Sequence, residues 1–344
     1  NAEISLVDPA QYTTYSGMLP GLIAGHYSFD DCHIDLRRLT QRSGVRFCYA
    51  GACGIDSARR QVMLTDGTRL DFDLVSIDVG STPPTAGVDG APQYAVAAKP
   101  FISFARRWDR LIATAEAGEL RHLVVVGAGA AGLELVLAMQ YRFTQTRAAQ
   151  AVRYAVVTDA PCLLPESSSR ARVALERVLA QRGIAVYLNS PVTSVESDAV
   201  ILSGSTRVAS DATIWATGAA APAWLTQSGL ALDARGFIRV DGHLASVSDP
   251  AIFAAGDCAS MEGQRYPKSG VYAVRQGPVL AENLRRALNG ERLSTYRPQT
   301  RALALISTGN RNAVASYGWL MLEGAPVWRW KDYIDRKFMR RYRA

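Results

Sequence analysis

The stretch VVVGAGAAGLE, residues 124–134, decides the fold. A β-branched run reads as a buried strand, GAGAAG as a tight turn and the apolar residues after it as a helix. Gly127, Gly129 and Gly132 have the G-x-G-x-x-G spacing. The first permits the turn, the second admits a pyrophosphate to the backbone at the helix N-terminus, and the third lets helix pack on strand. Strand before and helix after supply the context such a motif requires. A glycine turn in an α/β core without a nucleotide is the plainer alternative.

Working outward, GELRHLVVVGAGAAGLELVLAMQYRF reads strand–turn–helix, and AVRYAVVTDA reads as the next strand. SSSRARVALERVLAQRGIAVYLNS gives helix, glycine stop and strand, and RVASDATIWATG a strand ending in small residues. Residues from about 119 to 235 are therefore expected to form βαβ units on a parallel sheet. Thr158 and Asp159 close the second strand, where an acid binds the ribose of NAD; Gly218 closes the last. No arginine follows to hold a 2′-phosphate, so the reading leans to NADH over NADPH.

The first hundred residues are related. NAEISLVDP reads as the second strand of another nucleotide-binding unit, with Asp8 in the ribose position. A first strand and glycine loop, roughly 25 to 30 residues, are expected ahead of it. HIDLRRLTQRSG is helical, and three alternating stretches follow (VRFCYAGACGID, RRQVMLTDG, TRLDFDLVSIDVGSTP), read as antiparallel strands. SIDVGSTP and IWATGAAAP look like the same strand end in two related domains. Downstream, AIFAAGDCA leads into Gly256-Asp257, and YPKSGVYAVRQGPVLAENLRRALNG is a helix stopped by Gly290.

Length and composition set bounds. With 344 residues the chain has room for two or three domains. Apolar content of 48% and charged content of 20% are ordinary for a globular enzyme. The net charge of +7 suits anionic cofactors or an acidic membrane surface, while nucleic acid is set aside for want of an aromatic-basic recognition motif. Five scattered cysteines argue for a reducing, cytoplasmic compartment rather than a disulfide framework. Leu123 to Met139 is interrupted by glycines and Glu134, so it reads as a strand, turn and buried helix rather than a membrane span. His26, His33, His122 and His243 lack metal spacing, so no metal is expected.

Together these stretches resemble the two-dinucleotide flavoproteins, the pyridine nucleotide-disulfide oxidoreductase superfamily. Within it the chain is similar to the type II NADH dehydrogenase-like branch, and to a group sometimes fused to selenide, water dikinase. The carrying stretches are YSGMLPGLIAGHYSFDDCHIDLRRL, GAGAAGLEL, FAAGDCA, YPKSGVYAVRQGPVLAENL and WRWKDYIDRKFMRRY. The resemblance implies two Rossmann-like domains: an FAD domain of residues 1–100 and 239–290, an inserted NAD(P)H domain of 101–238, and a C-terminal α/β module of 291–344. It implies FAD with NADH or NADPH, and hydride transfer from nicotinamide to flavin.

By matched position, Asp8 would hold the FAD adenosine ribose and Asp257 the ribityl chain, with Gly80 and Ser81 passing close by. Lys268, Ser269 and Gly270 match the turn and helix start under the flavin, where a cation favours the reduced ring. Glu134 matches a glutamate near the nicotinamide–flavin contact. The bland alternatives are a helix N-cap for Asp257, a solvated loop lysine for Lys268 and a helix-surface glutamate for Glu134. Where the branch carries Ala-Gln beside its quinone, this chain has Gly270-Val271, with only Gln276 persisting further on. The small-molecule acceptor thus stays open between a quinone and a soluble compound, of which a selenium compound is one candidate. A low-turnover redox sensor with the same fold is the non-enzymatic alternative. Cys48 and Cys53 share the C-x4-C spacing of redox disulfides but fall in a strand-turn region, which disfavours that role. The tail places Trp330, Ile334, Phe338 and Tyr342 four apart among basic residues. That pattern suits docking on the protein's own body or on a dimer partner, or a peripheral site on the inner membrane face.

Overall fold

The computed structural model describes residues 2–85, 87–146 and 152–343; Asn1 and Ala151, which begin stretches quoted above, and Ala344, the end of the C-terminal module, lie outside them. Contacts divide the chain into two compact units. One comprises residues 1–13, 35–82 and 219–300, the other 14–34, 83–218 and 301–344. The sequence boundaries above assign residues 14–34, 83–100 and 219–238 to the other nucleotide domain, and set 291–344 apart as a module of its own.

The second unit is built on a five-stranded parallel sheet ordered Ile184–Tyr187, Arg153–Val157, His122–Val126, Ala212–Trp215, Ala95–Ala97. The chain leaves the central strand to one side and returns on the other, pairing Val126 with both Val157 and Trp215. The reversal makes a crevice at the carboxyl end of the central strand, where α/β sheets bind ligands. The helix Ala130–Thr144 buries Leu133, Leu135, Val136, Leu137, Ala138, Met139 and Phe143. Being apolar nearly all round, it belongs to the core. RVASDATIWATG, expected as one strand, forms two in different sheets, Arg207–Ala209 and Ala212–Trp215. The break falls at Asp211, whose carboxylate accepts from the amides of Arg121 and His122 at 2.8 and 2.7 Å and so pins the start of the central strand. An antiparallel sheet of Val192–Val195, Ala199–Leu202 and Arg207–Ala209 is inserted beside it.

The same unit contains the C-terminal module: strands Ala304–Ser307, Ala313–Tyr317 and Leu320–Gly324, then the helix Ala325–Arg343. That helix does not pack through its aromatic stripe. Its buried residues are Val327, Lys331, Asp335 and Met339, one position round from the expected face. Trp330 and Ile334 stay 43% and 37% exposed, and Phe338 stacks on Tyr15 at 4.3 Å. Lys331 and Asp335 neutralise each other, which removes most of the charge penalty on that face. Tyr27 donates to Asp332 at 2.8 Å, adding a further anchor.

In the first unit, Ser5–Val7 pairs in parallel with Arg46–Cys48, Val75–Ile77 with Ile252–Ala254, and Ile238–Val240 with Ala259–Met261. The antiparallel reading holds only for Ala52–Asp56, Gln61–Leu64 and Arg69–Asp71; the strands flanking them join parallel pairs. Leu225, Ile238, Val240, Leu244, Ile252, Phe253 and Ala254 form its fully buried centre. On the helix Gly270–Leu288, Asn283 is buried because its amide nitrogen donates to the carbonyls of His243 and Ser294.

Candidate functional site

In the second unit the three glycines do different work. A side chain on Gly127 (φ +116) would strike the Ala216 carbonyl, and one on Gly132 would strike the Gly127 carbonyl. Gly129 faces open space, with nothing within 4 Å of an added Cβ. It is the N-cap of Ala130–Thr144, which has no side-chain cap. A clear approach to uncapped helix amides fits a pyrophosphate. Thr217 lies against the same turn, and its buried Oγ1 lacks a partner among the described residues. Sequence reasoning passed over Thr217 because a hydroxyl at a strand end carries no pattern.

At the next strand end the Thr158 hydroxyl accepts from the Ala160 amide at 3.2 Å, so it is occupied in the turn. Asp159 is exposed, leaving it as the acid presented there. Gly218 is open as well, with nothing within 4 Å of an added Cβ.

Glu134 is not a surface helix residue. Its Oε1 accepts from the Ser307 amide at 2.8 Å. Part of the residue is still accessible, yet protein closes over the carboxyl, and this burial pushes its pKa up to about 7 against the opposing pull of Lys331. Lys331 itself is buried, donating to Asp335 at 2.7 Å and to the Gly17 carbonyl at 2.5 Å. The Tyr15 hydroxyl also bonds Asp335, and burial raises its pKa. Lys331 and Asp335 read in sequence as charges of a solvated face; their i,i+4 spacing was the one available signal.

In the first unit, Ser81 Oγ donates to Asp257 Oδ2 at 2.9 Å, joining two adjacent parallel strand ends. Gly80 (φ +70) leaves open space beside them. Gly256 (φ +70) has no room for a side chain because Asp78 Oδ1 lies there. The Gly256 amide donates to Gln276 Oε1 at 2.7 Å, and Gln276 Nε2 donates to the Tyr266 hydroxyl at 2.8 Å. Gln276 is thus fully occupied in holding the Gly-Asp turn.

Lys268 donates to the Ala259 carbonyl and lies 4.1 Å over the Phe237 ring. Burial lowers its pKa, opposed by Asp233 and Asp257. This is a fixed cation, not a free loop lysine. Ser269 is the N-cap of Gly270–Leu288 without a side-chain cap bond, so that helix also begins with open donors. Asp8 ends the other strand pair, its Oδ1 accepting from the Ala10 amide at 2.8 Å, and burial raises its pKa. Ser81, Gly80, Gly256 and Asp257 come together with Lys268 nearby; the hydrogen bonds of Asp8 run instead to Ala10 and Cys48.

Cys258 is buried, donates to the carbonyls of Ile77 and Ala255, and has its thiol pushed up to about 12 by burial. Cys48 and Cys53 are both free. Among the described residues no helix is long and apolar enough to cross a membrane.

Each unit therefore has a strand end with open space at a glycine and a helix start without a side-chain cap. The pyridine nucleotide-disulphide oxidoreductase family matches residues 1–277. A probable NADH dehydrogenase of Dictyostelium discoideum is 22% identical, over 94% of this chain and 77% of its own. A type II NADH:quinone oxidoreductase of Staphylococcus epidermidis is 23% identical, over 92% and 83%. Among solved structures, the sulfide:quinone oxidoreductase of Aquifex aeolicus superposes with a TM-score of 0.83 at 17% identity, covering 99% of this chain and 85% of that one. NDH2 of Plasmodium falciparum in complex with NADH gives 0.81 at 15%, covering 98% and 92%.

Proposed function

Because the chain belongs to the pyridine nucleotide-disulphide oxidoreductase family, we propose that it is an FAD-dependent NAD(P)H oxidoreductase that delivers electrons to a small-molecule acceptor. FAD, when bound, would supply the acceptor for the nicotinamide's hydride and the donor of the electrons passed onward. The observation that carries the reading is the pair of strand-end sites, the Gly127–Gly132 turn in one unit and the Ser81–Asp257 bond in the other.

In the first unit, Asp257, oriented by Ser81, receives the ribityl hydroxyls of FAD, and Gly80 lets backbone approach. Lys268, pinned by the Ala259 carbonyl, supplies positive charge to the flavin, with Ser269 and Gly270 opening the helix beside it. Asp8 takes the adenosine ribose. In the second unit, Gly127, Gly129 and Gly132 take the NAD(P)H pyrophosphate, Asp159 the ribose and Gly218 the backbone contact beyond it, with Thr158 shaping the turn. Glu134, held by Ser307 and with its pKa pushed up to about 7, holds or releases a proton during turnover.

Quinone is the acceptor suggested by the type II relatives. The exposed face of the last helix supports membrane contact: Trp330, Tyr333 and Ile334 are 43%, 57% and 37% exposed, with Lys337, Arg340 and Arg341 also exposed. Five free thiols support the cytoplasmic side. Gly270-Val271 at the start of its helix favours the second reading, a soluble acceptor. Steady-state oxidation of NADH with a short-chain quinone, run with and without anionic vesicles, tests the choice. Turnover raised by vesicles, with cosedimentation, supports quinone at a membrane; turnover only with soluble acceptors and no cosedimentation removes it.

A further inference from the structure

Asp78 belongs to none of the roles above. It follows Val75–Ile77, which pairs with Ile252–Ala254 so that Ile77 lies opposite Ala254. Asp78 and the Gly256-Asp257 turn therefore leave the same sheet edge. The Asp78 carboxylate turns across that edge and occupies the space a Gly256 side chain would need. Asp78 is exposed to solvent at the strand end, as is Val79 beside it at 44%, while the carboxyl itself sits among protein atoms over Gly256. Asp78 thus shares this strand end with Asp257 and with the open space at Gly80.

Strand-end geometry does not require an acid here. The equivalent position before Gly218, in the related strand end of the other unit, is Ala216. Among the described residues the charged group acting on Asp78 is another carboxylate. Asp257 is negative, Cys258 is a neutral buried thiol, and Lys268 is drawn to the Ala259 carbonyl. Asp78 has no salt bridge or hydrogen bond among the described residues. Burial first, and then the Asp257 charge, push its pKa up to about 6.

We propose that Asp78 is a second carboxyl group of the FAD site, paired with Asp257, that receives a ribityl hydroxyl and binds a proton when FAD binds. The inference rests on the FAD reading above. FAD brings two negative phosphates and displaces water from the cleft, and both favour the neutral acid. As a neutral acid Asp78 both accepts a hydroxyl proton and donates its own, and it ceases to repel Asp257. Binding coupled to uptake of one proton weakens as pH rises, by a limiting factor of about ten per pH unit above the free-state pKa.

The test is FAD affinity of the full-length apoprotein between pH 5 and 8, read by quenching of flavin fluorescence, with proton uptake measured calorimetrically in buffers of different ionisation enthalpy. Wild type is expected to lose affinity towards tenfold per pH unit above about 6 and to take up close to one proton near pH 7. Asp78→Asn, a neutral isostere, is expected to bind FAD with little pH dependence and to match or exceed wild type at pH 8. Asp78→Ala, which lacks the hydroxyl partner, is expected to bind more weakly than Asp78→Asn at every pH. A wild-type profile retained in Asp78→Asn, or no proton uptake by wild type, overturns the inference and leaves the FAD reading standing. No FAD binding by wild type at any pH overturns both.

Discussion

Replacing Lys331 by methionine tests how the second unit is held together. Lys331 is 8% exposed and Asp335 4%, and their charged atoms are 2.7 Å apart. Methionine fills much of the lysine stem's volume but leaves the Asp335 carboxylate buried with Tyr15 as its remaining partner, and leaves the Gly17 carbonyl without its donor. Removing one member of such a pair costs about 3–5 kcal/mol, because the orphaned charge loses its compensation. Against a total stability of about 5–15 kcal/mol, that is a large fraction. Lys331→Met/Asp335→Leu should recover most of the loss, since no buried charge is then orphaned. Urea denaturation of the wild type, both single variants and the double variant, followed by tryptophan fluorescence, closes the cycle. Losses below about 1 kcal/mol in Lys331→Met, the range of an exposed pair, would refute a buried role for it.

Three further expectations follow from the same geometry. Gly132→Ala should destabilise by about 1–3 kcal/mol, because its methyl meets backbone, whereas Gly129→Ala should keep wild-type stability and bind NADH about tenfold more weakly, read by denaturation and by NADH titration. Glu134 has a folded pKa near 7, above its ordinary 4.5, so it favours the folded state least above pH 7. Its contribution is lost as pH rises from about 4.5 to 7, at most about 3 kcal/mol, and Glu134→Gln should flatten that part of the stability profile. Asp159 presents an exposed carboxylate at the ribose strand end, so wild type should prefer NADH to NADPH, and Asp159→Ala should narrow the ratio of kcat/KM values about tenfold. An unchanged ratio in that variant would remove Asp159 from the site.

The glycine turn was legible in sequence because its requirements are local. Two glycines are fixed by backbone collisions one strand and one turn away, and the surrounding strand and helix are continuous apolar runs. The Gly256-Asp257 turn was legible only through family resemblance, since a Gly-Asp pair after an apolar strand has no unique geometry. The edge strand Ala95–Ala97 is three small residues with no period of their own; it exists by pairing with Ala212–Trp215. The buried face of the last helix was not legible because four aromatic and aliphatic residues outweighed Lys331 and Asp335. Those two are buried through partners more than 300 positions away, Gly17 and Tyr15, which no local window contains. Asp78 was missed for a similar reason: an acid after a strand reads as a turn residue, and only the pairing of two distant strands sets it against Gly256.

The central claim is that one chain holds both nucleotides and passes a hydride between them. The most direct measurement is the visible spectrum of the FAD-loaded, full-length protein mixed anaerobically with NADH in a stopped-flow instrument. A flavin spectrum that bleaches within the turnover time, with one NADH consumed per FAD, is the predicted result. A bound flavin that stays oxidised with both NADH and NADPH would contradict the account, leaving a fold that holds FAD without the reductase chemistry.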